Sequence, residues 1–189
     1  MGWIILIVIV VLLLLVAGWV MGTYNGLVQA RTKNENAFAQ IDVQLNRRHD
    51  LIPNLVETVK GYASHERSTL EAVIAARNMA TQAKGPADKA QAEDVLSGAL
   101  KSLFALSEAY PDLKANTNFQ QLQSELTSTE DRIAYSRQYF NDNVRIYNEK
   151  IQRFPGVLIA KRFGFGPAQY FEAPEAQRQN VQVSFDNPT

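Results

Sequence analysis

The pattern of apolar and polar residues divides the chain into one unbroken apolar run and a long amphipathic remainder. From Trp3 to Met21 no side chain is charged or strongly polar, and from Ile4 to Val16 every residue is Ile, Val or Leu. As a helix this run is about 28 Å long, close to the ~30 Å hydrocarbon core of a bilayer. A cleaved signal peptide would need a basic start and a small-residue cleavage site, and Met1-Gly2 carries no charged side chain. We therefore predict an uncleaved transmembrane anchor over residues 1–22.

Two long segments of the remainder carry apolar residues at every seventh position, which is typical of helices packed along a seam. The first segment runs from about residue 25 to 62, and the other from about 117 to 154. The first has the rows Phe38, Leu45, Ile52, Val59 and Ile41, Leu55, Tyr62, and the other has Phe119, Leu126, Ile133, Phe140, Tyr147 and Phe154. Pro53 lies inside the first segment and predicts a kink, because the ring removes one backbone hydrogen bond.

Two shorter helices are predicted between the long ones. Ser68 and Glu71 have the spacing of a capping box, Lys84-Gly85-Pro86 separates the two helices, and Pro111 ends the second. Short connections favour antiparallel neighbours, so residues 23–156 are predicted to form an all-α, up-down four-helix bundle with two long and two short helices.

The tail, residues 157–189, differs in kind from the bundle. Val181, Val183 and Phe185 alternate with polar residues, which is a weak strand signal. No fixed fold is predicted for the tail, which is expected to pack on the membrane or on another subunit.

The amino-acid composition argues against several classes of function. Lys+Arg and Asp+Glu both number 19, and a chain with this balance lacks the basic surface that a general nucleic-acid binder needs. The absence of Cys excludes disulfides, zinc fingers and thiolate nucleophiles. The only histidines, His49 and His65, have no Glu three residues before them, so the di-iron pattern of some bundles is absent. The sequence therefore predicts neither an enzyme nor a bound cofactor or metal.

Long contiguous stretches of the amphipathic part are more specific than any short motif. They are Gln40–Leu45, Arg47-Arg48, Asp50–Ala63, His65-Glu66 and Tyr110–Asn116, with Tyr24-Asn25, Leu27-Val28, Tyr147-Asn148 and Phe154-Pro155. These stretches resemble the LemA family over nearly the whole chain, with Phe38 where the family commonly has Trp. The resemblance implies an N-terminal membrane anchor, an N-terminus outside the cytoplasm and an antiparallel helical bundle, and it implies no established activity.

Polar residues in the two long seams predict a register. If the long helices are antiparallel and turn near residues 63 and 117, Arg48 lies level with Glu130 or Asp131. The same count brings Arg31 near Glu149. We expect these to be partly buried ion pairs that fix the register, and a polar groove for a ligand is the alternative.

The leading functional hypothesis is a scaffold or assembly protein that self-associates. In the predicted bundle the membrane-proximal halves of the long helices form a two-helix stalk, which cannot bury both apolar faces alone. The residues expected to mediate self-association are Phe38, Ile41, Phe140, Val144, Tyr147 and Ile151. The alternative is an adaptor that presents its distal turn, Tyr110 to Asn116, to another membrane protein such as a protease.

Charges and aromatic residues near the anchor predict how the chain meets the lipid bilayer. Arg31 and Lys33 follow the anchor and no basic residue precedes it, so the positive-inside rule places the N-terminus outside and the bundle in the cytoplasm of a bacterial cell, on the inner membrane. The residues expected at the membrane interface are Trp3, Trp19, Lys161, Arg162, Phe163 and Phe165. The alternative for the last four is a contact with the bundle or with a neighbouring subunit.

Overall fold

In the computed structural model, which describes residues 1–172, the chain is all-α, and this part of the chain forms six helices and no strand. The helices are α1 Gly2–Lys60, α2 Arg67–Gln82, α3 Gly85–Ser107, α4 Pro111–Lys114, α5 Thr117–Gln152 and α6 Gly156–Phe163. The weak strand signal of Val181, Val183 and Phe185 lies outside the described residues.

The first helix joins the predicted anchor to the first amphipathic segment without a break. α1 has 59 residues, and Pro53 lies inside it. The helix continues past Pro53 because the apolar rows on both sides of the ring are buried: Ile52 and Leu55 are fully covered. Packing of that face outweighs the loss of one backbone hydrogen bond.

The chain divides into two compact units, and the first comprises Met1–Leu51 and Leu122–Tyr170. In this unit α1 and α5 run antiparallel, because Arg48 lies against Glu130 and Phe38 lies against Phe140. A step of ten residues towards the N-terminus of α1 therefore matches a step of ten residues towards the C-terminus of α5. Nearer the N-terminus, α6 packs on both helices and closes a core of Leu27, Ala30, Tyr147, Ile151, Ile159 and Ala160.

The second unit comprises Ile52–Gln121 and, of the described residues, Phe171 and Glu172. In it α2 and α3 pack against each other. Their buried side chains include Leu70, Val73, Leu96, Leu100 and Leu103. The ring of Phe119 is fully buried and lies 6.2 Å from that of Phe104.

Three local predictions differ from the structure. The capping box of Ser68 and Glu71 is wrong: α2 begins at Arg67, its N-cap is Glu66, two residues before Ser68, and no side-chain hydrogen bond caps it. The turn after Pro111 contains the short helix α4, whose Leu113 is buried. The tail was given no fixed fold, yet its first residues form α6 with an apolar face buried.

Candidate membrane-facing and packing surfaces

The N-terminal part of α1 presents apolar side chains all round. Every side chain from Trp3 to Val16 is at least 45% exposed in the isolated chain. A continuous apolar surface of this size is unfavourable in water, and transfer into lipid removes that cost. Among the described residues, α1 is the one helix long and apolar enough to cross a membrane.

The segment after α5 returns to the point where α1 leaves this apolar run. The ring of Phe154 lies 6.4 Å from that of Trp19, measured between centroids. The ring of Tyr24, five residues further along α1, makes edge contacts with Phe163 at 5.0 Å and with Phe165 at 5.6 Å. The rings of Phe154, Phe163 and Phe165 therefore lie against residues 19–24 of α1.

The helix α6 has one buried face and one exposed face. Ile159 and Ala160 are buried against α1 and α5, whereas Leu158 and Phe163 are more than half exposed. Gly164 ends the helix in the left-handed region at φ +75°, a conformation that glycine adopts without steric cost.

Two neighbouring residues of α5 hold the segment that follows α6. The Tyr147 hydroxyl donates a hydrogen bond to the Gly166 carbonyl at 2.9 Å. The Asn148 amide donates to the Ala168 carbonyl at 3.0 Å and accepts from the Ala168 N–H at 2.8 Å. Burial raises the pKa of Tyr147, and the nearby positive charge of Arg31 opposes that rise. The pair Tyr147-Asn148, quoted above for its family resemblance, thus has a structural role.

The predicted membrane-interface residues divide into two sets. Trp3, Trp19, Lys161, Arg162 and Phe163 are exposed. Phe165 is half-buried and packs on the core of the first unit as well as on Tyr24. Phe165 is therefore partly a core residue of this unit.

The residues predicted to mediate self-association are covered within one chain. Ile41, Phe140, Val144, Tyr147 and Ile151 are buried, and Phe38 is half-buried with its ring 5.5 Å from that of Phe140. The expectation that this seam stays open for a second copy is wrong. The facing helices bury the seam between them, and α6 covers its end nearest the anchor.

The predicted ion pairs also divide. Arg48 Nη1 lies 3.2 Å from Glu130 Oε2, and the Arg48 side chain is buried while that of Glu130 is half exposed. Asp131, the other candidate partner, is exposed on α5. The structure does not bring Arg31 and Glu149 together as an ion pair among the described residues. Arg31 pairs with Glu35, and Glu149 pairs with Arg145 and Arg153.

An exposed apolar row on α5 escaped the sequence analysis. Tyr135 is 74% exposed, Tyr139 44% and Ile146 43%. We call these three residues the outer stripe. Their spacings of four and seven residues place them on one face of the helix. This spacing is visible in the sequence, but the prediction of apolar faces on α5 was based on the stronger row through Phe140 and Tyr147.

The described part of the chain contains no group of three or more His, Asp or Glu side chains that could hold a metal ion. Its buried polar side chains include Arg48 and Thr129, and both make contacts with residues of α5. Arg48 pairs with Glu130, and the Thr129 hydroxyl donates to the Glu125 carbonyl one turn earlier on α5. The first contact joins α1 to α5, and the second lies within α5.

The fold and these surfaces define a class: an all-helical bacterial membrane protein with one candidate transmembrane helix at its N-terminus. The chain belongs to the LemA family, whose model matches residues 37–185. It is 27% identical to Protein LemA of Metamycoplasma hominis, over 87% of this chain and 75% of that protein.

Magnetosome proteins are also among the relatives. The chain is 26% identical to Magnetosome protein MamQ of Magnetospirillum gryphiswaldense and 25% identical to MamQ 2 of Paramagnetospirillum magneticum. Each match covers 81% of this chain and 66% of the relative. The chain thus spans just under two thirds of these two relatives.

Proposed function

We propose that this chain is a membrane-anchored scaffold protein that self-associates and carries out no catalysis. The observation that carries the proposal is the outer stripe of α5, which exposes two tyrosines and an isoleucine on one helix face. Tyrosine is enriched in protein interfaces because it supplies apolar area with little rotamer entropy to lose. The magnetosome relatives, named for a cellular structure, are compatible with an assembly role.

A row of glycines on α1 supports the same proposal. Gly18, Gly22 and Gly26 recur every four residues, and a Cβ added at any of them would meet no atom within 4 Å. Small residues at this spacing let two membrane helices approach closely, which strengthens their van der Waals contact. The surface over Gly18 and Gly22 is open in the single chain, whereas Gly26 is half-buried and lines a groove beside Phe154.

The glycine row and the outer stripe are on the same side of the first unit. At about 100° per residue, both rows point to one side of the α1–α5 pair, while Tyr24 and α6 occupy the other. Two copies anchored in one membrane are related by an axis along the membrane normal, which brings equal residues together. Tyr135 and Tyr139 would then meet their counterparts in the second copy.

Self-association is tested by measuring the mass of the detergent-solubilised full chain by native mass spectrometry. The chain has a mass of 21.2 kDa, and we expect a species of twice that mass. The double variant Tyr135→Ser/Tyr139→Ser should shift to the single-chain mass, because it removes the rings that the proposed contact buries. Val43→Ser is the matched control, since Val43 is an exposed apolar residue that belongs to neither row. Equal masses for the wild type and the double variant would contradict this interface.

A second candidate, the adaptor, is supported by the organisation of the distal turn. The Tyr110 hydroxyl donates to Glu66 at 3.1 Å, and this bond to the carboxylate raises the pKa of Tyr110. The Asn116 amide donates to the Tyr62 hydroxyl at 2.9 Å. A turn held in this way loses little entropy on binding, which suits a recognition surface. A photoreactive group at Asp112 that crosslinks a different membrane protein, on a chain that is otherwise a monomer, would favour the adaptor.

We also propose that the helical domain lies in the cytoplasm of a bacterial cell, with the anchor in the inner membrane. Support comes from Arg31 and Lys33 after the apolar run. Protease added to intact spheroplasts should leave the domain whole and should digest it after lysis. Complete digestion from outside would reverse the orientation.

The packing of the helices supports the up-down four-helix bundle as the arrangement of this domain. The long helices α1 and α5 run antiparallel where they pack in the first unit, and α2 packs on α3 in the second. Short connections between successive helices favour the same topology.

A further inference from the structure

Exposed rings and cations lie together where α1 leaves its apolar run, and we call this surface the collar. Its apolar members are Trp19, Phe154, Leu158 and Phe163, and its basic members are Lys150, Arg153, Lys161 and Arg162. All eight side chains are exposed, and Phe154 is the most exposed of the four apolar ones at 76%. Exposed rings next to cations are unusual on a surface that meets only water.

The collar carries a local excess of positive charge. Glu149 pairs with the collar through Arg153 at 3.3 Å, and it also contacts Arg145. No acidic residue precedes Glu35 in α1, and none follows Glu149 until Glu172. Lys161 and Arg162 therefore have no carboxylate fewer than ten residues away in the sequence.

The depth of the collar matches the headgroup layer. Trp19 lies near the end of the apolar run, and Tyr24 lies about 7.5 Å further along the helix axis. The headgroup region on each side of a bilayer is about 5–8 Å thick. Because Phe154 contacts Trp19 and Phe163 contacts Tyr24, the collar spans this layer when the apolar run crosses the hydrocarbon core.

A groove in the collar combines the two chemistries that a phospholipid presents. It is lined by Thr23, Gly26 and Leu27 of α1 and by Lys150, Arg153 and Phe154 from the end of α5 and the turn that follows. The two cations suit a phosphate, and the apolar side chains suit the start of an acyl chain.

We propose that the collar binds anionic phospholipid headgroups and thereby seats the first unit on the membrane surface. The proposal rests on anchoring by α1, and it does not depend on self-association. In this arrangement α6 is an interfacial helix: Ile159 and Ala160 face the protein core, while Leu158 and Phe163 enter the boundary between headgroups and acyl chains.

The test uses the full chain in lipid nanodiscs, and the absence of native Cys allows a single label at a chosen position. Leu158→Cys and Val43→Cys, replacing residues 54% and 62% exposed, each receive an environment-sensitive NBD dye. In nanodiscs that contain phosphatidylglycerol we expect blue-shifted emission at position 158, quenched by spin-labelled lipid. The label at position 43 should show water-like emission. Water-like emission at both positions would overturn the proposal.

Two further variants test the charge and the identity of what covers the collar. Lys161→Ser/Arg162→Ser should reduce the blue shift at position 158 towards that seen in pure phosphatidylcholine. If the labelled chain without these substitutions shows the same blue shift in both lipids, the collar does not select anionic headgroups. Tyr135→Ser/Tyr139→Ser should leave the signal unchanged. Loss of the signal in that variant would assign the cover to a second copy and overturn the lipid proposal.

Discussion

Replacing Phe140 by alanine should destabilise the first unit by about 3–5 kcal/mol, the usual cost of removing a buried phenylalanine ring. Phe140 is 3% exposed and its ring packs on Phe38, where α1 and α5 face each other. The cavity can close only if α1 and α5 move closer, and Ile41 and Val144, both fully buried, oppose that movement.

The change is measured as the shift in thermal unfolding of the detergent-solubilised chain, followed by circular dichroism. Val43→Ala is the control, because a substitution at this exposed position should alter stability by no more than about 0.5 kcal/mol. Similar unfolding temperatures for Phe140→Ala and Val43→Ala would show that the seam is not the core of this unit.

Replacing Gly156 by alanine should release α6 from the two long helices. A Cβ at position 156 would overlap the Lys150 carbonyl oxygen, which is backbone and cannot rotate away. Relief requires movement of the turn between α5 and α6, and forced movement of this kind costs about 1–3 kcal/mol. We expect faster proteolysis and faster amide hydrogen exchange from Gly164 to Ala168, because the bonds from Tyr147 and Asn148 depend on the position of α6.

The matched control for this substitution is Gly98→Ala. Gly98 lies inside α3, and a Cβ there would meet nothing within 4 Å. Alanine should stabilise this helix by roughly 0.5–1 kcal/mol through its better helix propensity. Equal behaviour of the two variants would mean that the close approach at Gly156 has no role in holding α6.

Much of the fold could be predicted because burial leaves a periodic trace in the sequence. The rows through Ile41, Leu45 and Ile52 on α1 and through Ile133 and Phe140 on α5 are buried in the structure. The juxtaposition of Arg48 and Glu130 followed from counting along two antiparallel helices from their turns. Regular helices make such counts reliable, since each residue adds a fixed rise and rotation.

Periodicity could not show which chain covers a row. Phe140 and Val144 were assigned to a contact between subunits, but α1 of the same chain buries them. The helix α6 was missed because eight residues give too few turns for a periodic pattern, and contacts distant in sequence fix its position. Its partners Leu27 and Ala30 precede it by more than a hundred residues.

The outer stripe is an exposed apolar row that the sequence pattern did not predict. Tyr135 and Tyr139 have helical spacing, yet their row is shorter and more polar than the buried row beside it. A sequence pattern ranks the strongest apolar face first, and the strongest face is the one that folding buries. A weaker face left outside, such as this one, is recognised only when the exposed fraction of each side chain is known.

We expect the anchored chain to self-associate through the outer stripe and the glycine row. The most direct measurement is disulfide trapping in native membranes, since the chain has no Cys of its own. A two-fold axis along the membrane normal brings position 139 of one copy to position 139 of the other, so Tyr139→Cys should form a covalent dimer on mild oxidation. Val43→Cys should not form one. Equal dimer formation at the two positions, or dimer formation at neither, would contradict self-association through this surface.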